Sequence, residues 1–113
     1  MKNIKFFGSI PAIVTPFKKN GDLDLPALER LVVYQLENGV DGIVACGSTG
    51  EAATLNDEEY ITVIKIVVKK VSAIKPRVPV IAGAGSNDTK KAIHFSCLAK
   101  EAGADALLHV TPY

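Results

Sequence analysis

Two adjacent hydroxyl residues on a glycine-flanked stretch are the strongest candidates for chemistry in this chain. Ser48 and Thr49 lie between Gly47 and Gly50 and are followed by Glu51, directly after a short apolar run. The glycines let the backbone turn sharply and expose amide groups, while the hydroxyls can bind a small anion and transfer a proton. The lysine of a phosphate-binding P-loop is missing here, which argues against a nucleotide site. An ordinary polar turn, with Glu51 as a cap or hydrogen-bond acceptor, is the alternative.

Two further loops and two histidines also carry residue types that could do chemistry. Residues 83–87 begin like a dinucleotide fingerprint, but Asp88 stands where the third glycine belongs, so we interpret them as a close-packed turn. The stretch Thr111–Tyr113 could place a phenol at a strand end, to relay a proton or to pack against another subunit. His94 and His109 have no carboxylate or hydroxyl partner fixed by local spacing, and we interpret both as structural.

The composition excludes several classes of function. The chain has 113 residues, of which 48% are hydrophobic, which fits one domain and is too short for two. Its 13 Lys and Arg nearly balance 12 Asp and Glu, so no basic field favours nucleic acid or an anionic membrane. No apolar run is long enough for a bilayer span or a signal peptide. Cys46 and Cys97 have no partner at metal-ligand spacing, so we expect no metal, no disulfide framework and a cytoplasmic protein with reduced thiols.

Short apolar runs alternate with longer amphipathic ones, which is typical of an α/β fold with a parallel sheet. Strands are predicted over residues 10–14, 42–46, 79–83 and 106–111. The second helix is dense in β-branched residues, but its length, its cap and its lysines favour a helix. The first predicted helix begins at an Asp24 N-cap, with Pro26 in its first turn, and ends at Asn38-Gly39. The second begins at the capping pair Asn56 and Glu59 and ends at Ile74. The third begins at Asp88 or Thr89 and ends at Gly103.

The number of elements indicates how much of a fold is present. A (β/α)8 barrel of the TIM type takes about 250 residues, so three strand–helix units and a fourth strand amount to slightly under half of one. In such sheets the loops after the carboxyl ends of strands face the ligand, and the Ser48–Thr49 loop is one of these. A flavodoxin-like α/β binding domain is the alternative that segment order leaves open.

Four stretches, in this order and at this spacing, extend from one end of the chain to the other. They are GSIPAIVTPF at 8–17, GSTGEAATL at 47–55, PVIAGAGSN at 79–87 and VTPY at 110–113. Together they closely resemble the dihydrodipicolinate synthase family. The hydroxyl-pair loop is shared with N-acetylneuraminate lyases and sugar-acid aldolases, which are therefore alternatives. The continuation at residues 53–55 and the segment 81–87 look more like the synthases.

The resemblance implies that residues 1–113 are the amino-terminal part of a single (β/α)8 barrel domain. It implies a lyase that condenses pyruvate with aspartate semialdehyde in lysine and diaminopimelate biosynthesis, through a Schiff base to a lysine. Thr49 is expected to hold the pyruvate carboxylate, and Ser48, where the family more often has Thr, to belong to a proton relay. No separate cofactor is expected. The resemblance also implies a homo-oligomer, a tetramer built as a dimer of dimers.

Two positions match a lysine-effector pocket at the dimer interface of some family members. Asn87 lines that pocket by resemblance, and Tyr113 matches the first tyrosine of the family's Thr-Pro-Tyr-Tyr strand end. Four other positions differ from the best-characterised pattern, and the cation at Lys91 would repel a lysine ammonium group, so we expect weak or no lysine inhibition. The four are Ala52, Asp57, Tyr60 and Lys91.

None of the lysines in the sequence follows an apolar strand as a Schiff-base lysine would. Lys18 and Lys19 come nearest, but they lie in a polar turn. We therefore expect the isolated chain to lack the family's reaction. With open sheet edges and an uncovered apolar interior it should aggregate, pair with a second copy or be part of something longer. A non-catalytic half-barrel assembly module is the remaining alternative.

Overall fold

Three helices pack on one face of a three-stranded parallel sheet in the computed structural model, which describes residues 4–111 and Tyr113. Met1–Asn3 and Pro112, which belongs to the predicted terminal stretch, lie outside the described residues. The sheet order is β1-β2-β3, with both pairings parallel, so the predicted α/β class is confirmed. The elements are α1 (Leu25–Glu37), β1 (Ile43–Ala45), a 3-10 turn (Ala52–Thr54), α2 (Asp57–Ser72), β2 (Val80–Gly83), α3 (Thr89–Ala102) and β3 (Ala106–Leu108).

Each helix begins at the cap that the sequence predicts. The Asp24 side chain accepts a hydrogen bond from the Ala27 N–H at 3.1 Å, and Pro26 lies in the first turn of α1. Asn56 and Glu59 form a reciprocal capping box at the start of α2. Asp88 caps α3, which ends at Gly103 with a left-handed φ of 101°. These signals are local in sequence, which explains why the starts of the helices agree with the prediction. The end of α2 does not, because the helix stops at Ser72, two residues before the predicted Ile74.

The β-branched residues of α2 form one buried face. Val63, Ile64, Val67 and Val71 are all fully enclosed and recur at helical spacing. Lys65 is exposed on the opposite side, as is Lys69. Because this arrangement places the apolar face of α2 against β1 and β2, burial stabilises the helix despite the modest helix propensity of β-branched residues.

The first predicted strand, residues 10–14, is reduced to a single parallel bridge between Ala12 and Val44. The Val44 N–H donates to the Pro11 carbonyl at 2.9 Å, and the Ile13 N–H donates to the Val44 carbonyl at 3.0 Å. The ladder stops on one side because Pro11 has no N–H to donate. It stops on the other because Cys46 leaves the extended conformation with a φ of 56°. The chain therefore runs beside β1 as predicted, but with fewer bonds than a regular strand.

The fourth predicted strand is also shorter than expected, since β3 ends at Leu108 instead of Thr111. Leu108 is in register with Gly83, the last residue of β2, so β3 has a partner only to that point. Gly85 then approaches Val110 so closely that a Cβ on it would lie 2.5 Å from the Val110 nitrogen. This close packing replaces regular pairing beyond Leu108.

The two faces of the sheet have different surroundings. Ile43, Ala45, Val80 and Ala82 point toward the helices and are fully buried. Side chains alternate between faces along a strand, so Val44, Ile81 and Leu108 lie on the opposite face, where Val44 is buried and Leu108 is 51% exposed. The core thus lies between helices and sheet, and the opposite face is open at the end of β3, on the side where a barrel has its interior.

Candidate functional site

The candidate site is the turn of residues 47–51, which follows β1 at its carboxyl-terminal end. Cys46 starts this turn with a left-handed φ of 56°, which is uncommon for a residue other than glycine. Its thiol is buried, and burial raises the pKa of the Cys46 thiol to about 12. The thiol is therefore neutral at physiological pH and is not a nucleophile.

The turn brings Ser48 and Thr49 together on the surface, as the sequence predicts. It closes on itself through the Glu51 N–H, which donates to the Ser48 carbonyl at 3.0 Å. Both hydroxyl residues are exposed, and within the described residues neither side chain has a hydrogen-bond partner. The two hydroxyls are therefore available to a ligand at the edge where parallel α/β folds bind one.

Glu51 does not act as a side-chain cap, which is one of the two roles that the ordinary-turn alternative gives it. It precedes the 3-10 turn with a left-handed φ of 56°, and its carboxylate makes no capping hydrogen bond. Instead its backbone carbonyl accepts a hydrogen bond from the Thr54 hydroxyl at 2.9 Å. The backbone, not the glutamate side chain, gives the turn its local shape.

Two buried hydroxyls that the sequence analysis did not assign to the site lie beneath the turn. The Thr15 hydroxyl donates to the Gly50 carbonyl at 2.7 Å. The Tyr60 hydroxyl donates to the Gly83 carbonyl at 2.8 Å. Burial, with a smaller contribution from nearby Cys46, raises the pKa of the Tyr60 phenol above its ordinary value, so the phenol stays protonated. These bonds join residues 35 and 23 positions apart, so no local spacing could have revealed them.

Residues 83–87 pack closely beside the site, as predicted, but they form an irregular connection after β2 instead of the predicted turn. Gly83 touches the start of the Ser48–Thr49 turn: a Cβ there would lie 2.2 Å from the Cys46 carbonyl oxygen. The Ser86 hydroxyl accepts a hydrogen bond from the Asp88 N–H at 3.1 Å, directly before α3. The close approaches of Gly83 to Cys46 and of Gly85 to Val110 account for these two glycines.

The other predicted positions do not join the hydroxyl pair. Asn87 is exposed after β2, and Tyr113 is 88% exposed, beyond β3. Lys91 is exposed on α3. Lys18 and Lys19 are exposed in the polar turn, as expected. None of these side chains completes a pocket with Ser48 and Thr49 in the described residues.

Both histidines have partners that sequence spacing did not reveal. His94 on α3 lies 2.6 Å from a carboxylate oxygen of Asp57, at the start of α2. His109 lies 2.9 Å from the Ser96 hydroxyl, which itself donates to the Ala92 carbonyl. The His109 Nε2 therefore donates to Ser96. Each pair ties α3 to a neighbouring element, so the structural interpretation of the histidines agrees with these contacts.

Neither a membrane-spanning helix nor a metal-ligand cluster is present among the described residues. No helix among them combines the length and the apolar character that crossing a bilayer requires. No three of their His, Cys, Asp or Glu side chains converge as metal ligands would.

The strand order and the exposed turn at the strand end define a portion of a parallel (β/α) barrel of the TIM type. The chain belongs to the dihydrodipicolinate synthetase family, whose sequence profile matches residues 5–113. The 4-hydroxy-tetrahydrodipicolinate synthases of Geotalea uraniireducens and Maridesulfovibrio salexigens are 59% and 55% identical to it over 108 residues. Each alignment covers 96% of this chain and 36% of the relative.

Solved structures agree with this assignment. The dihydrodipicolinate synthase of Acinetobacter baumannii, solved in complex with pyruvate, is 50% identical and superposes with a TM-score of 0.87. The superposition covers 94% of this chain and 35% of that one. The chain thus spans about a third of the length of the relatives that it matches.

Proposed function

We propose that this chain supplies the carboxylate-binding side of a pyruvate site in an enzyme that condenses pyruvate with aspartate semialdehyde. The reaction would proceed through a Schiff base to a lysine, in lysine and diaminopimelate biosynthesis. Residues 1–113 would be the amino-terminal part of a single barrel domain. The reactive lysine would come from the two thirds of the relatives' length that this chain does not cover.

One observation carries the proposal: two exposed hydroxyls, with no hydrogen-bond partner among residues 4–111 and Tyr113, lie on a closed turn at the carboxyl end of β1. A carboxylate is a small anion that accepts hydrogen bonds from hydroxyls and backbone amides. Charge-assisted bonds of this kind are about twice as strong as neutral ones. The pyruvate in the complex of the A. baumannii relative supports pyruvate as the anion.

The two hydroxyls would have different roles. Thr49 would bind the pyruvate carboxylate through its hydroxyl and amide, because its β-branch restricts the rotamer and fixes the donor. Ser48 would pass a proton, since a hydroxyl both donates and accepts. Serine lacks the methyl of the threonine that the family more often has, so we expect the relay role with a looser orientation.

The remaining site and partner predictions concern assembly. Asn87 and Tyr113 would lie at a subunit interface or effector pocket, in a homo-oligomer built as a tetramer. The cytoplasmic location inferred from unpaired thiols is supported by Cys46 and Cys97, which are both free.

Lysine should inhibit a completed enzyme weakly or not at all. By the family resemblance, the exposed Lys91 would face the effector pocket, and its cation would repel a lysine ammonium group. Tyr60 is turned inward and bonded to Gly83, and Asp57 is paired with His94, so neither is free for an effector. The measurement is the initial rate of a hybrid, in which this chain is joined to the remaining two thirds of the M. salexigens synthase, with and without millimolar lysine. Inhibition at micromolar lysine would contradict the prediction.

The carboxylate site can be tested on the chain itself by NMR titration with pyruvate. We expect shifts of the amide resonances of residues 48–51 with pyruvate and none with acetone, which lacks the carboxylate. Thr49→Val keeps the shape of the side chain without the hydroxyl and should weaken binding at least tenfold, since a hydrogen bond to a charged group contributes about 1.5–3 kcal/mol. No shift at these amides in the unchanged chain would refute the proposed site.

The Schiff-base part has separate tests. Borohydride should trap no pyruvate adduct on this chain, whereas it should trap one on the hybrid. A trapped adduct on the chain alone would show that one of its own lysines reacts. An inactive but folded hybrid that still binds pyruvate would favour the non-catalytic half-barrel module.

Another pyruvate aldolase, such as an N-acetylneuraminate lyase, would use the same hydroxyl pair. The names of the relatives above favour the synthase. The hybrid distinguishes the two, because a synthase consumes aspartate semialdehyde and a lyase would turn over an acylated sugar acid instead.

A further inference from the structure

The turn that carries Ser48 and Thr49 is attached to the sheet at both of its ends by buried groups. Its first end is held by a backbone contact: Gly83 lies so close that a Cβ there would be 2.2 Å from the Cys46 carbonyl oxygen and 2.8 Å from the Gly47 Cα. Any shift of Gly83 therefore displaces the start of the turn. The position of β2 and the position of the turn are coupled through this contact.

Tyr60 fixes Gly83 from the helix side. Its side chain is 1% exposed, its hydroxyl donates to the Gly83 carbonyl at 2.8 Å, and its ring packs against Phe95 with centroids 5.0 Å apart. A phenylalanine would fill the same space without a hydroxyl to desolvate. The Tyr60 hydroxyl thus adds a directional hydrogen bond to Gly83, whereas a phenylalanine would make only apolar contacts.

Thr15 holds the other end of the turn. It is a buried polar residue, 4% exposed, and its hydroxyl donates to the Gly50 carbonyl at 2.7 Å. Gly50 fits tightly, since a Cβ on it would lie 3.2 Å from both the Ile13 carbonyl oxygen and the Thr15 hydroxyl. The segment that pairs with β1 therefore also fixes the end of the turn.

We propose that Tyr60 and Thr15 are positioning residues, which hold the two ends of the Ser48–Thr49 turn and so fix the hydroxyls for carboxylate binding. Neither side chain touches the ligand in this arrangement. Tyr60 acts through Gly83 and Cys46, and Thr15 acts through Gly50. The inference rests on the proposed pyruvate site for its purpose, whereas the attachment of the turn can be measured without any ligand.

The test is amide hydrogen exchange of the full chain, read at two positions. The Glu51 N–H, bonded to Ser48 within the turn, reports opening of the turn. The Asp105 N–H, bonded to the Val80 carbonyl at 2.8 Å, reports opening at the other end of the sheet. We expect Tyr60→Phe and Thr15→Val each to accelerate exchange at Glu51 about tenfold, the factor of one hydrogen bond, and at Asp105 less than twofold.

Two matched variants separate positioning from general stability. Thr15→Ser keeps the hydroxyl and should restore slow exchange at Glu51. Phe95→Leu disturbs the contact between Phe95 and Tyr60 but removes no hydrogen bond to the turn. It should therefore leave the ratio of the exchange rates of the Glu51 and Asp105 amides unchanged. Unchanged exchange at Glu51, or equal acceleration at both amides, would overturn the proposal, and so would loss of folding in both hydroxyl variants.

Pyruvate titration of the same variants connects attachment with binding. Each hydroxyl variant should weaken pyruvate binding several-fold while Thr15→Ser does not. If the unchanged chain binds no pyruvate, the proposed function fails, yet the exchange result still decides whether the turn is held by Tyr60 and Thr15. If pyruvate binds equally well to variants with a loosened turn, the positioning role is refuted and the pyruvate site stands.

Discussion

Replacing Gly83 by alanine tests the contact on which the site geometry depends. An added Cβ would lie 2.2 Å from the Cys46 carbonyl oxygen, whereas ordinary contacts begin at 3.4 Å. The two backbones would therefore have to separate by roughly 1 Å, because neither partner is a flexible side chain. Overpacking of this kind costs typically about 1–3 kcal/mol, and a backbone clash belongs at the upper end.

The net destabilisation is smaller than the clash alone. Alanine lowers the conformational entropy of the unfolded chain, and this offsets about 0.4–1 kcal/mol of the cost of the clash. We therefore expect the free energy of unfolding to fall by about 2 kcal/mol. With a urea m-value of about 2 kcal/mol/M, the denaturation midpoint should fall by about 1 M. The Ser48 and Thr49 amide resonances should shift as well, because the turn moves with Cys46.

Gly47→Ala is the matched control in the same turn. Its added Cβ would meet only the Val44 side chain, at 3.6 Å, which is an ordinary contact. The midpoint of this variant should stay within about 0.3 M of the unchanged chain, corresponding to about 0.5 kcal/mol. If Gly83→Ala unfolds at the same urea concentration as Gly47→Ala, the close approach of Gly83 to the turn does not constrain the fold.

Four further predictions concern other contacts. Iodoacetamide at pH 8 should alkylate the exposed Cys97 but not the buried Cys46, whose pKa is raised to about 12. After denaturation it should alkylate both cysteines, and mass spectrometry will count the alkyl groups added in each case. Because the pKa of Cys46 is higher in the folded chain than the ordinary 9.0, the unfolded state loses this proton first as the pH rises. The free energy of unfolding should therefore be unaffected by this thiol below pH 9 and should fall between pH 9 and about 12, as urea midpoints will measure. Asn56→Ala removes the capping box of α2 and should lower the free energy of unfolding by about 1 kcal/mol in the same assay. Asp105→Ala removes an acceptor of two 2.8 Å hydrogen bonds and should cost about 2 kcal/mol, against under about 0.5 kcal/mol for Glu29→Ala in an exposed ion pair; equal losses would contradict this ranking.

The helices were predictable because their signals are local. The Asn56 and Glu59 pair specifies where α2 begins, and the buried spacing from Val63 to Val71 specifies its face. The strand ends were not predictable in the same way. The left-handed Cys46 ends β1 one residue early, and β-branched or apolar neighbours give no signal for such a conformation.

The site was predictable only in part, for a related reason. Ser48 and Thr49 stand out because small residues surround them in sequence. Their supports do not, since Thr15 and Tyr60 act on residues 35 and 23 positions away. The pairing of Asp57 with His94 is non-local too, with 37 positions between the two residues. Contacts of this kind depend on how strands and helices come together, which spacing along one segment does not encode.

The supports of the turn and the open face of the sheet belong to different parts of the structure. The groups that hold the hydroxyl pair, Thr15, Tyr60 and Gly83, are all buried, and Tyr60 belongs to the core between the helices and the sheet. The open face, where Val14 and Leu108 are half exposed, takes no part in holding the turn. Covering that face should therefore add stability without rebuilding the Ser48–Thr49 turn. Under the proposed function, we expect the turn to form before a reactive amine is brought opposite to it, so pyruvate binding by this chain would not require Schiff-base formation.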